Sequence, residues 1–175
     1  MNKKHIELPQ NLKRVNYYAG KLLTAEDFQT EQQYFKDRIK LHNRFLHGYG
    51  IVSGLEVSIS SKLPEALTVS RGYAIDPLGN DVILPMDMQA SFPTAGIAVY
   101  LVLCWAERGI DLMPMLSSGG EGEQLTASRI EEYALLKYET NKHQANQTGV
   151  VLARLKKIRG KWKIDKQFRA HRVRA

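Results

Sequence analysis

A single cysteine in 175 residues rules out an intramolecular disulfide framework. Cys104 sits inside an apolar run and reads as a small buried hydrophobe. Long apolar segments are also missing. The longest, Ile97 to Trp105, is too short to cross a bilayer. The amino-terminal MNKKHIELPQ is basic with no apolar stretch behind it, so it does not read as a secretory signal, and synthesis in the cytoplasm is expected. Catalytic signatures are lacking too. There is no phosphate-cradling glycine loop, no serine nucleophile elbow and no HExxH. His42 and His47 are five apart, so they are expected on different sides of a helix, and no nearby Cys or acidic partner completes a zinc set. Asp76, Asp81 and Asp87 are not arranged as a working acid/base pair, since turn chemistry explains Asp76 and the other two flank one return strand. The chain is therefore expected not to be an enzyme, with no cofactor and no metal.

What is present is ordinary for a folded domain: 43% apolar and 25% charged residues. The length fits one domain, or one domain with a long arm. The net charge of +7 is uneven. From Arg154 onward there are ten basic side chains against Asp165 alone, leaving everything before slightly acidic. Such a stretch could meet nucleic acid, an anionic membrane or an acidic groove on a neighbouring subunit. No nucleic-acid motif accompanies it, and protein contact is the expectation. Three divisions follow: an arm over 1–13, one β-rich domain over 14–165 led by a helix over about 25–47, and a basic tail over 166–175.

Residues 14–57 organise the chain. Thr24 is the expected N-cap, with Asp27 three residues on completing a variant of the capping box. Acidic side chains crowd the first turns and basic ones the rest, as the helix dipole favours. Phe28, Phe35, Ile39 and Leu46 recur at helical spacing, with Gln32 and His42 in the same seam and Tyr34, Leu41 and Phe45 on a second line. Gln32 and His42 could set register in a helix trimer, or sit at the margin and meet water. Gly48 and Gly50 end the helix. The helix is expected to cover or close the sheet that follows.

That sheet starts with alternation over 51–60, interrupted by Gly54, which marks a bulge or a close backbone approach. Alternation continues through Leu67, Val69, Tyr73 and Ile75, with a kink at Arg71-Gly72. Asp76-Pro77-Leu78-Gly79 has the residue preferences of a type I turn, after which 81–84 should run back antiparallel. Residues 85–96 read as a connection and 97–105 as a central strand covered on both faces. Gly109 is expected to turn that strand, with 112–116 returning, and 117–122 reads as a flexible loop. Residues 128–138 fit helix or strand, with a lean to strand. Residues 140–149 read as a polar loop, and Val150–Leu155 with Trp162–Ile164 as a closing hairpin through Arg159-Gly160.

Several of these runs resemble a known group. They are Tyr18-Ala-Gly20-Lys-Leu-Leu-Thr-Ala-Glu-Asp-Phe28, Glu31-Gln-Gln-Tyr34, Leu41-His-Asn-Arg-Phe-Leu-His-Gly-Tyr-Gly50, Val52-Ser-Gly-Leu-Glu-Val57 and Val69-Ser-Arg-Gly-Tyr-Ala-Ile-Asp-Pro-Leu-Gly79. The sequence is similar to proteins encoded with phage-tail-like contractile injection systems. Its layout is similar to the N-terminal shell domains of phage baseplate and tail-fibre-attachment proteins, and to the baseplate adaptor of type VI secretion. The match covers about residues 14–84 and extends weakly to Val151–Arg154 and Trp162–Asp165. The resemblance implies an antiparallel β-sandwich or barrel-like shell domain, mainly β, with one long N-terminal amphipathic helix. It implies a homo-oligomer, often a trimer, whose partners are baseplate, spike or fibre proteins of a tail-like particle. Gly20, Thr24, Asp27, Phe28, Phe35, Ile39, Leu46, Gly48, Gly50, Gly54, Asp76, Pro77 and Gly79 are the expected structural and assembly residues, and Arg169, Arg172 and Arg174 the expected contacts of the basic tail. Members often continue into a fibre shaft or receptor-binding tip. This chain ends in the basic tail, which favours an adaptor, plug or baseplate role. A receptor- or glycan-binding module at a particle's tip is the alternative, although the loops are poor in aromatics.

Overall fold

A computed structural model describes residues 11–60, 66–114 and 125–173. The expected loops at 61–65 and 117–122, most of the amino-terminal arm and Arg174 lie outside these residues.

Local chemistry sets the first element, helix α1 (Ala25–His42). The Thr24 hydroxyl accepts from the Asp27 amide at 3.3 Å, and the Asp27 carboxylate accepts from the Thr24 amide at 3.1 Å, so the capping box forms as expected. The Lys21 ammonium, 2.9 Å from Asp27, holds that carboxyl below its usual range. Gly20 precedes it in the left-handed position of a turn closed from Lys21 N–H to the Tyr18 carbonyl. The helix continues into a π turn, Asn43–His47, closed by the Gly48 N–H on the Asn43 carbonyl at 2.9 Å.

The chain then forms β1 (Gly50–Gly54) and β2 (Val57–Ile59) rather than one strand over 51–60. Gly54 and Leu55 both take positive φ, and a Cβ on Gly54 would lie 2.1 Å from the Arg71 carbonyl oxygen. The close approach therefore explains this glycine and turns the chain out of the first sheet. The next stretch divides in the same way into β3 (Ala66–Val69) and β4 (Gly72–Ile75). The two crossings are bonded together, Leu55 N–H to the Arg71 carbonyl and Ser70 N–H to the Glu56 carbonyl. Strand β5 (Asp81–Leu84) returns antiparallel on β4, as expected. The stretch 85–96 is not only a connection, because Met88–Ser91 forms β6 against β3.

The remaining strands are β7 (Ala98–Pro114), β8 (Leu125–Glu139), β9 (Val150–Ile158) and β10 (Lys161–Ile164). The sheets are ordered β1-β4-β5, β2-β3-β6 and β10-β9-β7-β8, with every pairing between these strands antiparallel. They form a half-barrel around one core. Leu67, Val69, Val82 and Leu84 from the small sheets meet Val99, Leu101, Leu103 and Leu155 from the large one. The opposite face of β7 buries Val102 and Cys104 with Val151 and Ala145. A continuous apolar run thus does mark a strand covered on both sides. Burial pushes the Cys104 thiol up.

Two expectations need correction here, and one lean is borne out. Gly109 does not turn β7, which runs on to Pro114 with Gly109 paired to Ile130. The polar stretch 140–149 contains helix α2 (Lys142–Thr148), started by Asn141, whose side-chain oxygen accepts from the His143 amide at 2.8 Å. Its Ala145 is what covers Cys104 and its neighbours. The lean to strand over 128–138 holds, since the whole stretch lies in β8 on a long ladder to β7. The closing hairpin β9–β10 turns through Arg159 and Gly160, both at positive φ, as the sequence indicates.

Candidate assembly surface

The turn Asp76–Gly79 carries the end of α1. Asp76 is buried, and its carboxylate accepts from the amides of Leu78 at 2.8 Å and Asn80 at 2.9 Å. The Gly79 N–H donates to the Asp76 carbonyl at 3.0 Å, so the expected turn closes. Pro77 presets its second position. Gly79 has φ +88°, and a Cβ there would stand 2.4 Å from the Lys40 carbonyl oxygen. The helix end therefore rests on the turn backbone itself. Asn43, the buried residue of the π turn, donates its side-chain amide to the Gly79 carbonyl and to the Asp81 carboxylate, both at 2.9 Å. Tyr73 donates its hydroxyl to the same carboxylate oxygen of Asp81 at 2.5 Å. Burial, reinforced by that bond, pushes the Tyr73 phenol up to about 12. Asp87 accepts from the Arg71 amide at 2.8 Å.

The helix is otherwise held from one side by charge. Lys36 lies 2.7 Å from Glu107 and 3.8 Å from Glu132, and Glu107 raises its pKa. Lys40 sits 5.4 Å above the Trp105 ring. These contacts leave the apolar seam untouched. No residue of α1 is buried, and Phe28, Phe35, Ile39 and Leu46 are 54%, 54%, 52% and 70% exposed. The expectation that the helix covers the sheet is thus wrong. It is pinned at its C-terminal end by polar bonds and presents its oily side outward. Gln32 and His42 are exposed along with it.

The π turn changes the seam's end. Closing from residue i to i+5 sets His47, not Leu46, over His42. Leu46 is displaced from the line to which its spacing assigns it. The two histidines expected on different sides face each other, with Nε2 atoms 3.1 Å apart.

A second projecting element carries no expected site residue. Strand β9 leaves β7 at Leu103, so among the described residues 104–114 pair with β8 alone. The resulting two-stranded ribbon exposes Leu112, Met113, Leu125 and Ile130. Arg108–Glu131 and Arg129–Asp111 ion pairs lie along it. Such a ribbon is marginal alone in water. Arg108 and Asp111 on one run and Glu131 and Arg129 on the other were the available signal, since these opposite charges meet across an antiparallel register.

The basic tail is not a free end over its described part. Ile51 pairs in parallel with Arg172, with bonds from Ile51 N–H to the His171 carbonyl and from Val173 N–H to the Ile51 carbonyl. A Cβ on Gly50 would strike the His171 carbonyl oxygen at 2.7 Å, so this glycine admits the tail. Arg172 meets Glu56 at 2.6 Å, and Arg169 donates to the carbonyls of Lys166 and Phe168. Asp165 gathers Lys156 at 2.8 Å and Arg154 at 3.6 Å, and the Lys156 bond chiefly holds its carboxyl below the usual range. Among the described residues, Arg154, Lys156 and Arg172 thus meet carboxylates within the chain.

No protein-family model and no curated protein matches the sequence. Solved structures with the same fold do. A chain of the type VI secretion system TssK-TssF-TssG baseplate subcomplex is 16% identical with a TM-score of 0.58, over 91% of this chain and 62% of that one. A chain of the type VI secretion baseplate complex is 18% identical with a TM-score of 0.56, over 91% and 41%. TssK in a crystal structure is 13% identical with a TM-score of 0.57, over 89% and 41%. At these identities the likeness is one of fold, and this chain spans less than two thirds of each of these neighbours.

Proposed function

We propose that the chain is a structural subunit of a contractile injection system, working through protein assembly at the baseplate. The observation that carries this reading is the uncovered seam of α1 on a fold similar to type VI baseplate chains. An isolated helix of this length is marginal in water, and most helical stability comes from packing an amphipathic face. A contiguous oily stripe on such a helix marks an interaction site. The partner that fits is the same helix of sister subunits. Phe28, Gln32, Phe35, Ile39 and His42 follow alternating steps of four and three, the spacing of a coiled-coil seam, and the polar pair would fix register at some cost in stability. A trimer built on the three helices leaves the β7–β8 ribbons pointing to other baseplate, spike or fibre-attachment proteins, and the chain inside a tail-like particle. Co-expression with the sheath, tube and baseplate proteins of a contractile injection system from the same genome tests the partner claim. Co-purification of a stoichiometric complex is expected, and a chain that ignores all of them contradicts it.

A further inference from the structure

The π turn makes a chelating geometry out of two residues that a regular helix would hold about 140° apart around its axis. His42 and His47 present Nε2 atoms to each other at 3.1 Å, with ring centroids 4.9 Å apart and planes at 60°. Both rings are exposed. Two nitrogens each about 2.0–2.1 Å from one ion lie about 2.9 Å apart when bound at right angles and about 3.4 Å apart in a tetrahedron. The observed separation falls between these limits without any change of backbone. We propose that His42 and His47 form a two-nitrogen site for a late first-row divalent cation, the ions that imidazole suits best. In the metal-free pair one Nε2–H donates to the other ring. On binding, that proton leaves Nε2 and is taken up through solvent at Nδ1 of the same ring, so both rings stay neutral and both Nε2 lone pairs face the ion.

The surroundings permit a cation. Lys40 is engaged over Trp105, and Arg44 lies over Phe45 with its guanidinium carbon 5.9 Å from that ring centroid. The pair also sits at the helix's C-terminal end, where the backbone dipole favours positive charge. Among the described residues no third His, Cys, Asp or Glu completes a cluster, so water fills the other positions. Single π turns inserted into helices occur frequently at functional sites.

The test titrates Cu2+ into the untagged full chain by calorimetry and records its electron paramagnetic resonance spectrum. A signal with two nitrogen ligands is expected. His42→Ala and His47→Ala should each weaken binding at least about tenfold, the lower end of what even an outer-sphere partner costs. His143→Ala, whose ring meets Gln147, should leave it unchanged. Both seam histidines are exposed, so circular dichroism should show intact folding in each variant. Failure of the unaltered chain to bind, or binding that survives either seam substitution, overturns the proposal.

Discussion

The side-chain amide of Asn43 donates to the carbonyl of Gly79 at 2.9 Å across 36 residues of sequence, joining the end of the long helix to the turn of the sheet. The same amide reaches Asp81. Asn43→Ala removes both bonds and leaves a buried carbonyl with lost partners. A loss of about 2–3 kcal/mol is expected, from net bond values plus the cost of an unsatisfied buried group. Urea denaturation measures it. A change below about 0.5 kcal/mol, the range of ordinary surface substitutions, would mean that the helix end is not anchored here.

Gly79 supports the same junction by having no side chain. Gly79→Ala meets both a left-handed φ of +88° and the Lys40 carbonyl oxygen. Gly160→Ala faces a left-handed φ of +78° with open space around it. The second change should cost about 1 kcal/mol, the usual penalty for Cβ in that conformation. The first should cost clearly more, because backbone must move. Thermal melts of the two variants compare them directly, and equal losses would show that the helix does not press on the turn.

Asp165 gives the fold a dependence on acid. Its carboxyl is held below the ordinary value, chiefly by Lys156. The stabilisation is present above the pH where the unfolded carboxyl titrates, about 4, and is lost as the pH falls from there through the lower folded value. Asp165→Asn should therefore melt below the unaltered protein at pH 7, and the gap should close under acid. A gap that persists at pH 2 would assign the effect to the hydrogen bonds of the turn instead.

Much of this was legible in the sequence where the cause is local. Thr24 and Asp27 announce the helix start because a capping box needs only four residues. Asp76 to Gly79 announce their turn for the same reason, and the apolar run at 97–105 announces a strand buried on both faces. The π turn was not legible, since an i to i+5 closure has no residue preference strong enough to read, and it reversed the placement of His47. Gly54 stood out, but its reason, the Arg71 carbonyl, comes from a segment far along the chain. The seam of Phe28, Phe35 and Ile39 was plain as a pattern. Periodicity says that a face is apolar and says nothing of what covers it, so the expected sheet contact failed.

Sedimentation equilibrium of the purified chain, alone and as Phe35→Glu, tests the central claim most directly. Phe35 is already half exposed in the single chain, so the substitution leaves folding intact. The unaltered chain should sediment at a multiple of 19.9 kDa, three times that mass for the trimer, and Phe35→Glu should fall to the single-chain value. A monomer at every concentration, or an oligomer that Phe35→Glu does not dissociate, would contradict assembly through this helix.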